Sequence, residues 1–207
     1  MTCPLCHTLL EVKKNEAYHD CHVCGSIVKD KAYYLSAADE KARYEEHNND
    51  VFDLGYQKFT SPITHFILEH YTEKDLGLDF GSGTGPVITH QLLQKGFQVN
   101  LYDPYFAPFE NHLRLRYDYI FSCEVFEHFY QPHLEIKRLT AMLKPGGRLI
   151  IMTHTFINQK TFNDWYYIKD PTHVFIYTPK SFDFIAKCFN YEIEKLTERF
   201  VVLRLIN

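Results

Sequence analysis

Cysteines, glycines, carboxylates and histidines fall into separate groups along this 207-residue chain, and each group has its own chemistry. Cys3-Pro-Leu-Cys6 and Cys21-His-Val-Cys24 are two C-x-x-C knuckles. A tight turn at each brings two thiolates onto one ion while backbone N–H groups support the sulfurs, so Cys3, Cys6, Cys21 and Cys24 are expected to hold structural zinc. His7, His19 and His22 stand beside them as alternative ligands, and a redox role for the pairs is the competing reading.

The second group is Leu76-Gly-Leu-Asp-Phe-Gly-Ser-Gly-Thr-Gly85, an apolar run that carries Asp79 and breaks into Gly81, Ser82, Gly83, Thr84 and Gly85. It reads as a buried strand entering a nucleoside cradle, with three glycines where backbone must turn at positive φ and approach a ligand closely. Pro86 stands where a dinucleotide fingerprint wants its third glycine, which disfavours a pyrophosphate. Asp103, beside Pro104 and about twenty residues past the glycines, ends a second apolar run and is placed to accept hydrogen bonds from both ribose hydroxyls. Strand-end carboxylates also serve as turn caps.

The third group is acid–base chemistry. His173, in Asp170-Pro-Thr-His-Val, is a neutral imidazole near pH 7 and the candidate general base, with bracing of its loop as the competing role. His154 is the second candidate. Glu124, Glu127 and His128 stand at i, i+3, i+4; on a helix they would share one face and could hold a divalent cation.

These groups need elements to carry them. A zinc-folded ribbon over residues 1–34 is followed by linker and lid helices over 35–75, at Leu35–His47 with Ser36 as N-cap and at Phe59–Tyr71. Tyr56 and Gln57 are candidates for the pocket lining. Residues 76–207 read as an alternating α/β domain: strands at 76–80, Gln98–Asp103 and Tyr117–Cys123, helices at Val87–Lys95, ended by Gly96, and His133–Met142. Between Pro104 and Tyr117 there is room for one short strand at most, so no adenine-recognising carboxylate can be named there, and Tyr105 or Phe121 would carry the adenine. Leu143-Lys-Pro-Gly-Gly is expected to turn the chain, with Gly146 and Gly147 at positive φ. Thr178 caps a helix beginning at Pro179, and Tyr191–Leu205 forms a hairpin.

The run Leu-Asp-Phe-Gly-Ser-Gly-Thr-Gly, the strand ending in Cys123-Glu124 and the Leu-Lys-Pro-Gly-Gly turn resemble, in order and spacing, the motifs of class I S-adenosylmethionine (SAM)-dependent methyltransferases. The resemblance covers roughly residues 50 to 205. It implies a Rossmann-like sheet with a C-terminal antiparallel hairpin, SAM held by Asp79, residues 81–85, Asp103 and Pro104, and a pocket wall at Cys123 and Glu124. Glu124-Val-Phe-Glu-His is similar to a run in the quinol O-methyltransferases, which implies a second divalent ion. The acceptor would meet the aromatic stretch Trp165 to Tyr177.

A net charge of −4 argues against a nucleic-acid backbone as main partner, and the aromatic loop favours a small-molecule acceptor. RNA, recognised through the ribbon, is the alternative acceptor. A non-catalytic zinc-ribbon binding protein and an NAD-dependent oxidoreductase are rival readings. No apolar run approaches the roughly eighteen residues of a membrane span, and no signal pattern opens the chain, so a cytoplasmic protein is expected.

Overall fold

Thirty residues with few apolar side chains cannot bury a core of their own. In the computed structural model, which describes residues 1–46, 49–157 and 161–206, the first segment solves this by sharing one. Strands β1 (Val12–Lys13), β2 (Tyr18–Asp20) and β3 (Ile27–Lys29) form an antiparallel sheet. The sheet continues onto β8 (Phe175–Ile176), far along the chain, through the pairs Ile27↔Ile176 and Val28↔Phe175. Cys3, Leu5, Cys24 and Val28 are buried in the same cluster as Leu78, Ile136 and Phe182.

Helix α1 (Ala37–Glu45) begins at Ser36, whose hydroxyl accepts from the Asp39 N–H as an N-cap should. Its expected end at His47, and the break at Asn48, lie outside the described residues. Helix α2 (Leu54–His70) starts five residues earlier than its apolar periodicity predicts, because Asp53 caps it by accepting from Tyr56 N–H.

Then β4 (Leu76–Phe80), α3 (Val87–Leu93), β5 (Gln98–Tyr102), β6 (Tyr117–Cys123), α4 (Pro132–Met142), β7 (Leu143–Met152), α5 (Pro179–Phe189), β9 (Tyr191–Leu196) and β10 (Phe200–Leu205) complete the fold. The main sheet has the order β5-β4-β6-β7-β10-β9; β5, β4, β6 and β7 run parallel, and β10 and β9 close it antiparallel. Alternation along β6 sends Tyr119 and Phe121 to the face covered by α2 and α3, and Ile120 to the face covered by α4, α5 and the ribbon. This is a Rossmann-like α/β architecture, and ligands in such sheets bind beyond the carboxyl ends of the parallel strands.

The stretch with room for one short strand at most holds none, and the expected turn before the next strand needs correction. No strand forms between Asp103 and Tyr117 among the described residues; a single bridge, Asp103↔Ala107, and a 3-10 turn at Glu110–Arg114 occupy that stretch. Leu143-Lys-Pro-Gly-Gly is not a turn before β7 but part of it, looped out between the pairs Tyr117↔Leu143 and Tyr119↔Arg148. Gly146 has φ +75, whereas Gly147 is absent from the positive-φ residues. Parallel pairing with β6 holds the backbone extended on both sides of the bulge.

Candidate active site

The loop after β4 is shaped by backbone demands. Gly81 has φ +84, and a Cβ there would meet Val125 Cγ2 at 2.4 Å. Gly85 differs from the expectation: its φ is not positive, and its added Cβ would lie 1.6 Å from the Asn49 carbonyl oxygen. It therefore admits the segment ahead of α2 rather than an open left-handed turn. Asp103 ties the loop down. Its carboxylate accepts from the Gly83 N–H at 3.0 Å and from the Tyr105 and Phe106 N–H groups at 2.8 and 3.0 Å.

Asp79 lies behind the loop, buried, and accepts from Thr89 Oγ1 at 2.7 Å. Burial pushes its carboxyl up to about 7; the Thr89 hydroxyl lowers it and the nearby Asp103 charge raises it. A buried carboxylate at this position is fit to receive a ligand's ammonium group.

One cavity of about 980 Å³ begins on this cradle and runs to a second wall. Asp79, Gly81, Ser82, Gly83, Thr84, Gly85, Asp103, Pro104, Cys123 and Glu124 all line it, as do Tyr56 and Tyr105. Gln57 does not; its amide donates to the Val51 carbonyl. Phe121 is wholly buried in the sheet, with no face toward the cavity. Cys123 is half-buried, and burial followed by the Glu124 and Asp79 charges pushes its thiol well above its ordinary range, as for a wall residue rather than a nucleophile.

The far wall is lined by His128, Tyr167, Asp170 and His173, with Glu127 buried behind them. His173 is 8% exposed. Its Nδ1 lies 2.6 Å from the Tyr167 carbonyl oxygen, which can only accept, so Nδ1 carries the proton and Nε2 the lone pair. His128 repeats the arrangement, with Nδ1 3.1 Å from the Thr172 carbonyl. Both Nε2 atoms converge on Glu127 Oε1, at 3.9 Å from His128 and 4.0 Å from His173. The Glu127 side chain is fully buried; Oε2 accepts from Thr153 Oγ1 at 2.8 Å, while Oε1 has no hydrogen-bond partner. Burial lowers the His173 imidazole to about 4, countered by Glu127 and Asp170 and assisted by His128.

Three sequence expectations change here. Glu124, Glu127 and His128 do not share a helical face: Glu124 sits at φ +52 and only Phe126–His128 forms a 3-10 turn. His173 takes Glu124's place in the cluster, within 4.8 Å of the other two ligand atoms. Glu124 stays on the cavity wall, its carboxyl raised to about 8 by burial and then by Glu127. His154 is not among the cavity residues. Its Nε2 meets Glu198 Oε1 at 2.9 Å and its Nδ1 lies 3.0 Å from the Tyr166 phenol oxygen, so both ring nitrogens are engaged. The partnership of His173 was invisible because its cluster joins residues 46 apart in sequence.

In the N-terminal segment, the four cysteine sulfurs lie within 4.8 Å of one another, with Cys3–Cys24 at 3.5 Å and Cys6–Cys21 at 3.3 Å. The knuckles close through His7 N–H to Cys3 O at 2.9 Å and Gly25 N–H to Cys21 O at 2.8 Å, with φ +62 at His7 and +75 at Gly25. His7, His19 and His22 are outside the cluster. Among the described residues no helix is long and apolar enough to cross a membrane.

Residues 52–196 match a family model described as a methyltransferase domain. No curated protein sequence matches the chain. In three dimensions it is similar to 1,6-didemethyltoxoflavin-N1-methyltransferase of Burkholderia thailandensis, solved with 1,6-didemethyltoxoflavin and S-adenosylhomocysteine: TM-score 0.53, 14% identity, 88% of this chain and 96% of that one covered. A chain in the complex of the Haloferax volcanii Trm112 methyltransferase activator gives TM-score 0.58 at 11% identity, over 82% of this chain and 98% of that one. Human N-acetylserotonin methyltransferase, solved with SAM, gives 0.52 at 13%, over 81% and 57%.

Proposed function

This chain belongs to the methyltransferase domain family, a SAM-dependent methyltransferase by that membership, and we propose that it methylates a small molecule seated between the cradle and the His173 wall. The observation that carries this reading is the single cavity joining the two. Its volume of about 980 Å³ stands at the top of the roughly 300–1,000 Å³ range of small-molecule sites, enough for cofactor and acceptor together.

SAM brings a methyl group already made electrophilic by its sulfonium, so the protein's part is alignment and proton removal. Asp103 would accept from a ribose hydroxyl on the lone pair its three backbone donors leave free, and Asp79 would face the ammonium. The acceptor's nucleophilic atom attacks the methyl carbon as the sulfur–methyl bond breaks, and its proton passes to His173 Nε2. That nitrogen is unprotonated throughout the neutral range, and Glu127 Oε1 is placed to receive the imidazolium.

RNA as acceptor is supported less well. The backbone of each knuckle is tied to a helix of the main domain: His133 Nδ1 of α4 lies 3.1 Å from the Leu5 carbonyl, and Lys180 Nζ of α5 donates to the His22 carbonyl at 2.7 Å. The Burkholderia neighbour holds a small heterocycle.

Zinc in the ribbon is part of the same proposal. A tetrahedral ion with Zn–S bonds of about 2.3 Å needs sulfurs about 3.8 Å apart, and the two closest pairs, at 3.3 and 3.5 Å, fit with a small expansion. A second reading of the far wall is favoured by the unpartnered Glu127 Oε1. Two imidazole nitrogens and a carboxylate, each supported from behind by a carbonyl or hydroxyl, suit a divalent ion. His173 would then be a ligand rather than the base.

Calorimetry with SAM and S-adenosylhomocysteine, with Asp103→Ala as control, tests the reading. Micromolar binding lost in the variant is expected; no binding by the parent protein overturns it. Transfer of labelled methyl to a metabolite mixture but not to RNA is expected next. Retention of that activity after exhaustive chelation of divalent ions would favour His173 as base over the second reading.

A further inference from the structure

The segment 170–174 carries His173 into the cavity yet has no helix or strand of its own, so its carbonyl groups must find donors elsewhere. The ribbon supplies most of them. Lys29 Nζ donates to the Pro171 carbonyl at 2.7 Å and lies 3.5 Å from that of Asp170. The Tyr18 hydroxyl donates to the His173 carbonyl at 2.9 Å, and the Lys29 N–H to the Val174 carbonyl at 2.9 Å. Only the Thr172 carbonyl turns to the cavity side, where His128 meets it.

These contacts sit on a shared apolar floor. Tyr18 and Ile27 cluster with Phe162, Trp165, Tyr167 and Ile176, and the Tyr18 ring meets Phe162 edge-on at 5.3 Å. Lys29 is only 4% exposed. An ammonium taken out of water needs partners for its three donors, and here those partners are the loop's own carbonyls. The cysteine knuckles hold the hairpin that carries both side chains, since β2 and β3 lie immediately before and after Cys21–Cys24.

We propose that Tyr18 and Lys29 are positioning residues for methyl transfer: the ribbon, folded on its metal, is the back wall of the acceptor site and sets where the His173 imidazole stands. The proposal rests on the reading of His173 as an acceptor-side residue. It gives the ribbon a task inside this chain, in place of recognition of an outside partner.

The test uses the full chain with Tyr18→Phe and Lys29→Met, which delete the donors and keep most of the apolar volume. Imidazole nitrogen NMR of His173 is the readout, because the parent should show one tautomer with a slowly exchanging Nδ1 proton. In both variants that proton is expected to exchange faster and the ring to populate a second tautomer, while S-adenosylhomocysteine binding by calorimetry stays at the parent value. Lowered melting temperature with unchanged His173 signals would overturn the proposal and leave the ribbon a purely stabilising element. Should Lys29→Met fail to fold, Tyr18→Phe, which loses one oxygen, decides alone. Absence of S-adenosylhomocysteine binding in the parent would instead sink the methyltransferase reading on which the proposal stands.

Discussion

The two walls of the cavity are made in opposite ways. The cradle is local: residues 79–85 and Asp103 come from one strand–turn–helix–strand unit, and backbone N–H groups do most of the holding. The far wall is assembled from the turn after β6, the loop before β8 and a ribbon strand, and side chains do the holding. A common cofactor needs the same backbone shape wherever it is bound, whereas an acceptor site can be rebuilt from whatever segments the sheet brings together.

The contrast is sharpest if each wall can be damaged without the other. His173→Asn should lower turnover by roughly 10²–10⁴-fold, the range for a lost general base, with SAM affinity unchanged in calorimetry. Turnover equal to the parent's would remove His173 from the proton path. Because burial holds its imidazole near 4, the acid limb of the rate profile belongs near pH 4 rather than at the ordinary imidazole value of about 6.5. A limb near 6.5 would assign the base elsewhere.

Asp79→Asn should separate stability from binding within the cradle. The Asp79 carboxyl is raised above its unfolded value of about 3.9, so it favours the fold while protonated, and that contribution is lost as pH rises through about 7. Asparagine has no charge to bury. The variant is expected to be more stable than the parent at pH 8, on the order of 2–4 kcal/mol, with little difference near pH 3, and to bind SAM more weakly. Denaturant melts at the two pH values check the sign; a loss of stability at pH 8 would mean that the carboxylate is ionised and paired.

Gly85→Ala drives a Cβ into the Asn49 carbonyl and should cost about 1–3 kcal/mol, as overpacking does. It should also weaken S-adenosylhomocysteine binding, because the segment ahead of α2 borders the cavity at Asn49. The smallest effect is expected at Thr178→Ala, which removes the α5 N-cap and a 3.0 Å bond to the Gly25 carbonyl. A loss of about 1 kcal/mol with cofactor affinity intact would show that strain on the far side does not reach the cradle.

Whatever is encoded in neighbouring residues can be read from the chain directly. The glycine turn, Asp103 twenty residues on, the knuckles, the Ser36 and Thr178 caps and the closing hairpin are all short-range patterns, and each was legible. Tertiary structure alone decided what lies opposite what. The spacing of Glu124, Glu127 and His128 would put them on one face only of a helix, and positive φ at Glu124 with the short 3-10 turn points Glu124 elsewhere. His154 stood at the end of β7 and looked available until Glu198 and Tyr166, from other segments, closed on it. His173 meets Glu127 and His128 in the turn beyond β6, and the ribbon meets the loop of His173 through the β3–β8 pair, so that segments far apart in the chain share one corner of the fold. Local periodicity carries no record of such meetings, since the free energy that makes them comes from burying a shared core.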